Sequence, residues 1–369
     1  MDDELTSDDG RPRRGGRHSG PLGQSRPRPR EKVDRRVLGA VDVHHHMVPP
    51  VLRAALVERA ARDGSFARQF ASALTTFAHE LDDVDDRLRA MDAAGVETAV
   101  LAAPPPAAEV VVAPKRPALT RRVNEELLDL ADRYPGRFVV ALALPMPDAA
   151  ESAGEVGRLG DEGRVRAVSL LVHLRGVPLD EPVHDELFGA CAARGLLILL
   201  HPGLDAIADM FDDWQLASAV GAPLTTTLAA ARLALSGALD RHVDLDVVVP
   251  HLGGVAPYLL QRLEDQCSPG SAARPLVDYF RERFYYDTCS FHPPALECAR
   301  QSVGIERLLL GSDYPFRGNI ARAVEDVREL GEEAARRVAA LAPARWISAP
   351  GARAAPGVAQ RTAKESRSG

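Results

Sequence analysis

The central part of the chain alternates between short apolar runs and longer segments with helical periodicity. Eight such runs occur, and most are continuously hydrophobic, as expected of parallel strands that are covered on both faces. They are VLGAVDVHHH (37–46), ETAVLAAP (97–104), RFVVALALP (137–145), RAVSLLVH (166–173), LLILLHP (196–202), VDLDVVVPH (243–251), FYYDTCS (284–290) and RLLLGSDYP (307–315).

The segments between these runs have the spacing of amphipathic helices, as in DVDDRLRAMDAAG, RRVNEELLDLADRY and APYLLQRLEDQ. A strand followed by a helix, repeated eight times, predicts an α/β fold of the (β/α)8 or TIM-barrel type. An open doubly wound sheet is the alternative, but no GxGxxG motif follows an early strand. Two long connections, 47–81 and Trp214 to Arg241, are candidates for a lid or an active-site wall.

Composition separates a folded domain from two tails. Residues 1–36 and 349–369 are rich in Arg, Gly, Pro and Ser, and cannot bury enough apolar surface to offset the entropy of ordering them. We therefore predict disordered tails around a single domain at 37–348, which the 46% hydrophobic content is sufficient to fill.

Charge and cysteine usage exclude several classes of function. The net charge of -7 comes from interspersed residues, which indicates neither a nucleic-acid nor a membrane partner. The four cysteines show no CxxC spacing, and the chain has neither a secretory h-region at its start nor a run of 18 apolar residues. These features predict reduced thiols in a cytoplasmic protein.

Polar residues recur where the predicted strands end. In a parallel barrel these ends meet at one rim, which is where such enzymes place their active sites. The residues are Asp42, His44 and His46 on the first strand, His173 on the fourth, His201 on the fifth, His251 on the sixth, Asp287 on the seventh and Asp313 on the eighth. The sequence therefore predicts one polar site at the rim.

A metal site is the chemistry that these residues favour. His44 and His46 are two apart, so both point to one face of a strand while His45 points to the other. Together with His201 and Asp313 they form a ligand set that suits Zn2+ or a similar divalent ion, with Mn2+ as the alternative. Coordination positions left open for water or substrate would make the site catalytic.

At this point the sequence resembles the amidohydrolases, and within them the decarboxylase-like branch that includes aminocarboxymuconate-semialdehyde, γ-resorcylate and 6-methylsalicylate decarboxylases. The likeness extends from about residue 40 to residue 340. The motifs that carry it are VDVHHHMVPP (41–50), LLHPG (199–203), PLTTTLAAARLALSGALDRH (223–242), VVPHLGGVAPYLLQRLE (248–264) and LLLGSDYPF (308–316).

The resemblance implies roles for individual residues. His44, His46, His201 and Asp313 correspond to the ligands of one metal ion, and Asp42 to a supporting acid. His251 resembles the family's acid/base histidine. Two-metal relatives commonly bridge their ions with a lysine at the end of strand four, where RAVSLLVH has none, so we expect one ion per chain.

The resemblance also implies a reaction, the non-oxidative decarboxylation of a small aromatic or unsaturated carboxylic acid without an organic cofactor. Asp313 or His251 would protonate the carbon that carries the carboxylate. Two alternatives stay open here: a hydrolase that uses a metal-bound water, and an inactive barrel that serves as a binding module. A homodimer is expected from the resemblance alone.

Groups that bind the substrate are harder to assign from the sequence. Phe211, Trp214 and Phe316 lie in or beside rim segments and are candidates for stacking on a ring. Arg317 follows the last strand and is a candidate for binding a carboxylate.

Overall fold

The computed structural model describes residues 39–64, 66–67, 83–174, 177–203, 215–316 and 320–347. Contacts divide the chain after Arg35, and every described residue belongs to the second unit, Arg36–Gly369. The predicted tails at 1–36 and 349–369 lie outside the described residues. Among the described residues, no helix has the length and apolar character needed to cross a membrane.

Eight strands form one sheet in which each strand pairs in parallel with its neighbour in the sequence. They are β1 Ala40–His46, β2 Val96–Ala102, β3 Phe138–Leu142, β4 Val165–Leu171, β5 Leu197–His201, β6 Asp246–Val249, β7 Phe284–Asp287 and β8 Leu308–Leu309.

The last strand returns to the first and closes the sheet. The Val43 N–H donates to the Leu310 carbonyl at 2.9 Å, and the His46 N–H donates to the Tyr314 carbonyl at 2.8 Å. His45 and Tyr314 form an additional parallel bridge. The predicted barrel is therefore confirmed, and the seam where it closes lies between β1 and the segment that follows β8.

Helices occupy the connections between the strands. The α-helices are Pro50–Arg62, Val84–Ala94, Arg116–Arg133, Ala149–Leu159, Asp185–Arg194, Ala222–Leu235, Ala238–Arg241, Pro250–Gly253, Ala256–Gln266, Leu276–Glu282, Pro293–Val303, Ile320–Arg328, Glu332–Arg336 and Ala344–Ile347. Short 3-10 helices lie at Ala108–Val110, Ala113–Lys115, Pro182–His184 and Ile305–Arg307, and π-helical turns at Ala217–Gly221 and Arg337–Leu341.

Local sequence explains where these helices begin and end. The Asp83 side chain accepts a hydrogen bond from the Asp86 N–H at 2.8 Å and caps the helix Val84–Ala94. Gly95 ends that helix with φ of 77°, a conformation that costs glycine little.

The interior of the barrel is filled by side chains and is closed at the end where the strands begin. Trp346 lies at that end, with its ring edge against Tyr285 at 4.8 Å between centroids, and its Nε1–H donates to Asp246 at 2.9 Å. The interior residues are Val41, Val43, Val100, Ala102, Val139, Ala141, Ala167, Leu197, Leu199, Val248, Tyr285, Leu309 and Trp346. The rim at the other end of the barrel, where the strands end, is therefore available for a polar site.

Every strand except β1 ends earlier than its apolar run predicted, and β4 and β6 show why. β4 ends at Leu171, and His173 instead begins a two-residue strand that pairs antiparallel with Val177–Pro178. β6 ends at Val249, because Pro250 has no N–H to continue the ladder and His251 turns into the left-handed region with φ of 54°.

Candidate metal centre

Three histidine rings and one carboxylate converge at the rim of the barrel. The potential ligand atoms of His44, His46, His201 and Asp313 all lie within 4.8 Å of one another. The Nε2 atoms of His44 and His46 are 3.0 Å apart, and they lie 3.4 Å and 3.1 Å from the Asp313 Oδ1 atom. The structure thus brings together the four residues that the sequence analysis selected.

The other nitrogen of each ring is held by an acceptor. The Nδ1 atom of His44 lies 2.8 Å from the Asp287 carboxylate. The Nδ1 atom of His46 lies 3.4 Å from the Ala102 carbonyl, and that of His201 lies 3.0 Å from the Pro202 carbonyl. Because a carbonyl or carboxylate oxygen only accepts, each Nδ1 carries a proton, and in the neutral form of each ring Nε2 presents a lone pair. The His201 Nε2 atom is buried and has no hydrogen-bond partner among the described residues.

This arrangement fits a divalent ion. Two ligands that each lie about 2.0–2.1 Å from a tetrahedral zinc ion would be about 3.3–3.4 Å apart. The measured separations among His44, His46 and Asp313 are 3.0 to 3.4 Å. A cavity of about 20 Å³, lined in part by His44, His46 and His201, has room for one particle of the size of a water molecule.

Burial and the neighbouring carboxylates give the three imidazoles different protonation in the metal-free protein. Burial lowers the pKa of His44, but the charges of Asp287 and Asp313 outweigh it and raise the pKa to about 9. Burial lowers the pKa of His46, and it lowers the pKa of His201 well below the usual value. The pKa of Asp313 is held well below its usual range, because the charge of His44 and the adjacent imidazoles of His251 and His46 outweigh burial.

Asp42 supports the site from the side of β1 where His45 lies, because the strand register is irregular between these two residues. Its carboxylate accepts from the His45 Nδ1–H at 2.8 Å, from the His44 N–H at 3.2 Å, and from the Ser312 N–H and Oγ–H at 3.0 and 2.5 Å. His45 is fully buried, and its ring stacks on Tyr314 at 5.1 Å. The Asp42 carboxylate therefore fastens the strand of His44 to the segment that carries Asp313 rather than joining the ligand cluster.

His251 lies beside the cluster. Its Nε2 atom is 3.7 Å from the Asp313 Oδ2 atom, and its side chain is 17% exposed. The Asp313 carboxylate thus turns one oxygen to the histidine ligands and the other to His251. A second group of potential ligand atoms, from His251, Cys289 and Asp313, overlaps the first through Asp313.

The structure places the predicted substrate-binding residues only in part. The Phe316 ring lies edge-on to His46 at 5.3 Å, at the border of the centre. Phe211, Trp214 and Arg317 lie outside the described residues, as does the His173 side chain. The four cysteines, all within the described residues, form no disulfide.

Sequence reasoning noticed Asp287 but gave it no role, and it missed Gly311. A Cβ atom on Gly311 would lie 2.7 Å from the Asp287 Cβ and 3.0 Å from the His44 Cβ. Glycine at this position therefore lets the side chains of Asp287 and His44 meet. The only available signal was the position of this glycine two residues before Asp313 in LLLGSDYPF.

Comparison with known proteins decides the family. The family model described as amidohydrolase matches residues 41–348. The chain belongs to the amidohydrolase family. This amidohydrolase is 31% identical over 257 residues to a gamma-resorcylate decarboxylase of Rhizobium radiobacter, covering 64% of this chain and 79% of that protein. It is 28% identical over 289 residues to a 6-methylsalicylic acid decarboxylase of Penicillium expansum, covering 75% and 85%.

A solved structure shows the same likeness in three dimensions. The dihydroxybenzoic acid decarboxylase of a Polaromonas species contains bound manganese and the inhibitor 2-nitroresorcinol. It superposes with a TM-score of 0.72 at 25% identity, over 84% of this chain and 97% of that one.

These comparisons confirm the decarboxylase-like branch, the barrel fold and the class of enzyme, a metal-dependent carboxy-lyase that acts non-oxidatively. They favour decarboxylation over the hydrolase and the inactive barrel. The ligand roles, the identity of the metal, the homodimer and the cytoplasmic location stay predictions.

Proposed function

We propose that this amidohydrolase decarboxylates a small aromatic acid with a hydroxyl group next to its carboxylate. The observation that carries the proposal is the convergence of three histidine Nε2 atoms on the Asp313 carboxylate, with every Nδ1 occupied elsewhere. The substrate class is taken from the relatives, whose names specify resorcylate, dihydroxybenzoate and methylsalicylate.

We assign one divalent ion to His44, His46, His201 and Asp313. Three imidazoles and a carboxylate suit zinc, which remains our assignment, while the manganese of the Polaromonas relative makes both ions necessary in any test. A divalent ion held by these residues would supply positive charge that attracts and polarises an anionic substrate.

His251 is the proton donor in this proposal, and Asp313 orients it. The low pKa of Asp313 makes that carboxyl a poor acid, whereas histidine is the side chain that most often transfers protons in enzymes. The His251 ring is partly exposed, and its Nε2 atom lies 3.7 Å from the Asp313 Oδ2 atom, within reach of the charge of that carboxylate.

The reaction is balanced without an oxidant. A proton from His251 adds to the ring carbon that bears the carboxylate, and the bond from that carbon to the carboxylate then breaks. The electron pair of that bond returns to the ring and restores its aromaticity, and CO2 leaves. A proton from solvent restores His251.

Metal analysis and a substrate panel test the proposal. The purified protein, loaded in parallel with Zn2+ or Mn2+, is offered hydroxybenzoic acids with the hydroxyl beside or across the ring from the carboxylate. We expect CO2 release from the first set, no consumption of oxygen, and one deuterium at the vacated ring carbon when the solvent is D2O. Release of CO2 from neither set, or two ions in the active protein, would contradict it.

The homodimer expected from the resemblance is a separate proposal. Sedimentation of the metal-loaded protein should give twice the 39.7 kDa mass of the chain. A monomer with full turnover would exclude any need for a second subunit.

A further inference from the structure

One carboxylate contacts both halves of the proposed site. Asp287 ends β7 and is 1% exposed. Its Oδ2 atom accepts from the His44 Nδ1–H at 2.8 Å. Its Oδ1 atom accepts from the backbone N–H groups of His251 at 2.8 Å and Cys289 at 3.1 Å. Three N–H donors therefore point at a single buried side chain.

The backbone that Asp287 holds is in an unfavourable conformation. His251 and Leu252 have φ values of 54° and 55°, in the left-handed region that residues with a Cβ atom avoid. Such a conformation persists where the surroundings fix it, and it is common where a side chain must be aimed. The bond from the His251 N–H to Asp287 is one such constraint.

The packing around Asp287 is adapted to this contact. His44 Cβ and Asp287 Cβ both approach the position where a Cβ atom on Gly311 would lie, at 3.0 and 2.7 Å. A larger residue at 311 would push the carboxylate and the imidazole apart.

We infer that Asp287 is a positioning residue with two tasks. It fixes the proton of His44 on Nδ1, so that the Nε2 lone pair faces the metal centre, and it holds the turn that aims His251. The inference rests on the proposed function for the roles of His44 and His251.

An asparagine at this position cannot make the same contacts. If the asparagine turned its amide nitrogen toward His44, the NH2 group would donate to Nδ1. The proton of the imidazole would then move to Nε2, and an N–H group would face the metal. With the amide reversed, its NH2 group would face the N–H groups of His251 and Cys289. Only an ionised carboxylate, which carries lone pairs and no proton, accepts all three donors.

The test compares Asp287→Asn with Asp287→Ala, which remove the same charge. At pH 9.5, where protonation of His44 no longer competes with the metal, we expect Asp287→Ala to weaken Mn2+ or Zn2+ binding about tenfold and Asp287→Asn about a hundredfold, within the range for groups that orient metal-binding histidines. At saturating metal the order of kcat should be reversed, because asparagine keeps an acceptor for the His251 N–H and alanine does not. If Asp287 only filled space, the isosteric Asp287→Asn would have both the higher metal affinity and the higher kcat of the two variants.

Metal binding within twofold of wild type in Asp287→Asn, or equal losses in the two variants, would overturn the inference. Glu155→Gln is the matched control, because it also neutralises a buried carboxylate, bonded to Asn124 and Arg158 on the helix layer. Its metal affinity should equal that of wild type.

A direct measurement of the tautomer covers the case in which Asp287→Ala does not fold. Metal-free Asp287→Asn with 15N-labelled histidine should show the His44 proton on Nε2 at pH 8, with the signal assigned from its absence in His44→Asn. A proton on Nδ1 would refute the inference.

Neither metal affinity nor the tautomer requires turnover. Suppose that the wild-type protein releases CO2 from none of the aromatic acids, while Asp287→Asn still binds metal more weakly than Asp287→Ala. In that case the proposed reaction fails, but the conclusion that Asp287 sets the tautomer of His44 stands. If wild type decarboxylates but the two variants bind metal equally, the inference fails and the reaction stands.

Discussion

We expect the affinity of the centre for a divalent ion to rise about tenfold per pH unit between pH 7 and about 9, and then to level off. The cause is His44. In the metal-free protein the charges of Asp287 and Asp313 outweigh burial and raise its pKa to about 9. Binding an ion displaces the proton that occupies this imidazole, so acid competes with metal.

The size of this pH effect on metal affinity follows from the protonation of each of the four ligands. His46 and His201 have lowered pKa values and are neutral at pH 7, and Asp313 is already ionised. One proton is therefore released per ion, and it comes from His44. At pH 7, two pH units below a pKa of about 9, roughly 1% of the protein has a neutral His44, which lowers the apparent affinity about a hundredfold from its plateau.

The pKa of His44 is raised, so its protonated form is present at low pH and is lost as pH rises through about 9. Competition from the proton therefore disappears above that pH, and affinity increases rather than decreases.

Titration calorimetry from pH 6.5 to 9.5, with a competing chelator and two buffers of different ionisation enthalpy, measures both the slope and the protons released. One proton per ion at pH 7.5 is the expected result, and Glu155→Gln should reproduce it. An affinity that stays constant between pH 7 and 9, or the release of two protons, would refute the reasoning.

Three further outcomes are expected. His201→Ala should purify with less than a tenth of an ion per chain by elemental analysis; a stoichiometric ion would remove His201 from the ligand set. His251→Ala should keep its metal while kcat decreases by about 10²- to 10⁴-fold, the usual contribution of a positioned proton donor; loss of the ion would make His251 a ligand. Gly311→Ala should lose about 1–3 kcal/mol of unfolding free energy, because the new Cβ collides with Asp287 and His44; an unchanged denaturant midpoint would show that this packing is loose.

Much of the fold followed from periodicity, because the strands of a barrel are covered on both faces and their hydrophobicity is continuous. The helix predicted from APYLLQRLEDQ has the bounds Ala256–Gln266 in the structure. Strand ends were less accurate, since an apolar run continues past the last ladder hydrogen bond. Leu308–Leu309 is a strand of only two residues, within a run predicted from 307 to 315.

The four residues of the centre were also accessible from the sequence, because side-chain parity on β1 and the common rim are general properties of the barrel. The function of Asp287 was not accessible. It depends on a contact with His44 across 243 positions in the chain and on the left-handed turn at His251. Neither a long-range hydrogen bond nor a turn of non-glycine residues leaves a periodic signal.

The seam that closes the barrel has a consequence for how the protein matures. His44 and His46 lie on the first strand, and Asp313 follows the last, where its N–H donates to the His44 carbonyl at 2.8 Å. During synthesis the complete ligand set cannot exist until nearly the entire barrel has been made, so an ion that needs all four ligands would bind late. An ion bound by these four residues would instead stabilise the finished fold, by about 4 kcal/mol at a thousandfold excess over its Kd. Amide exchange should therefore slow in β1 and in the segment after β8 when the ion binds, and a cell short of metal would accumulate full-length barrels that open at this seam.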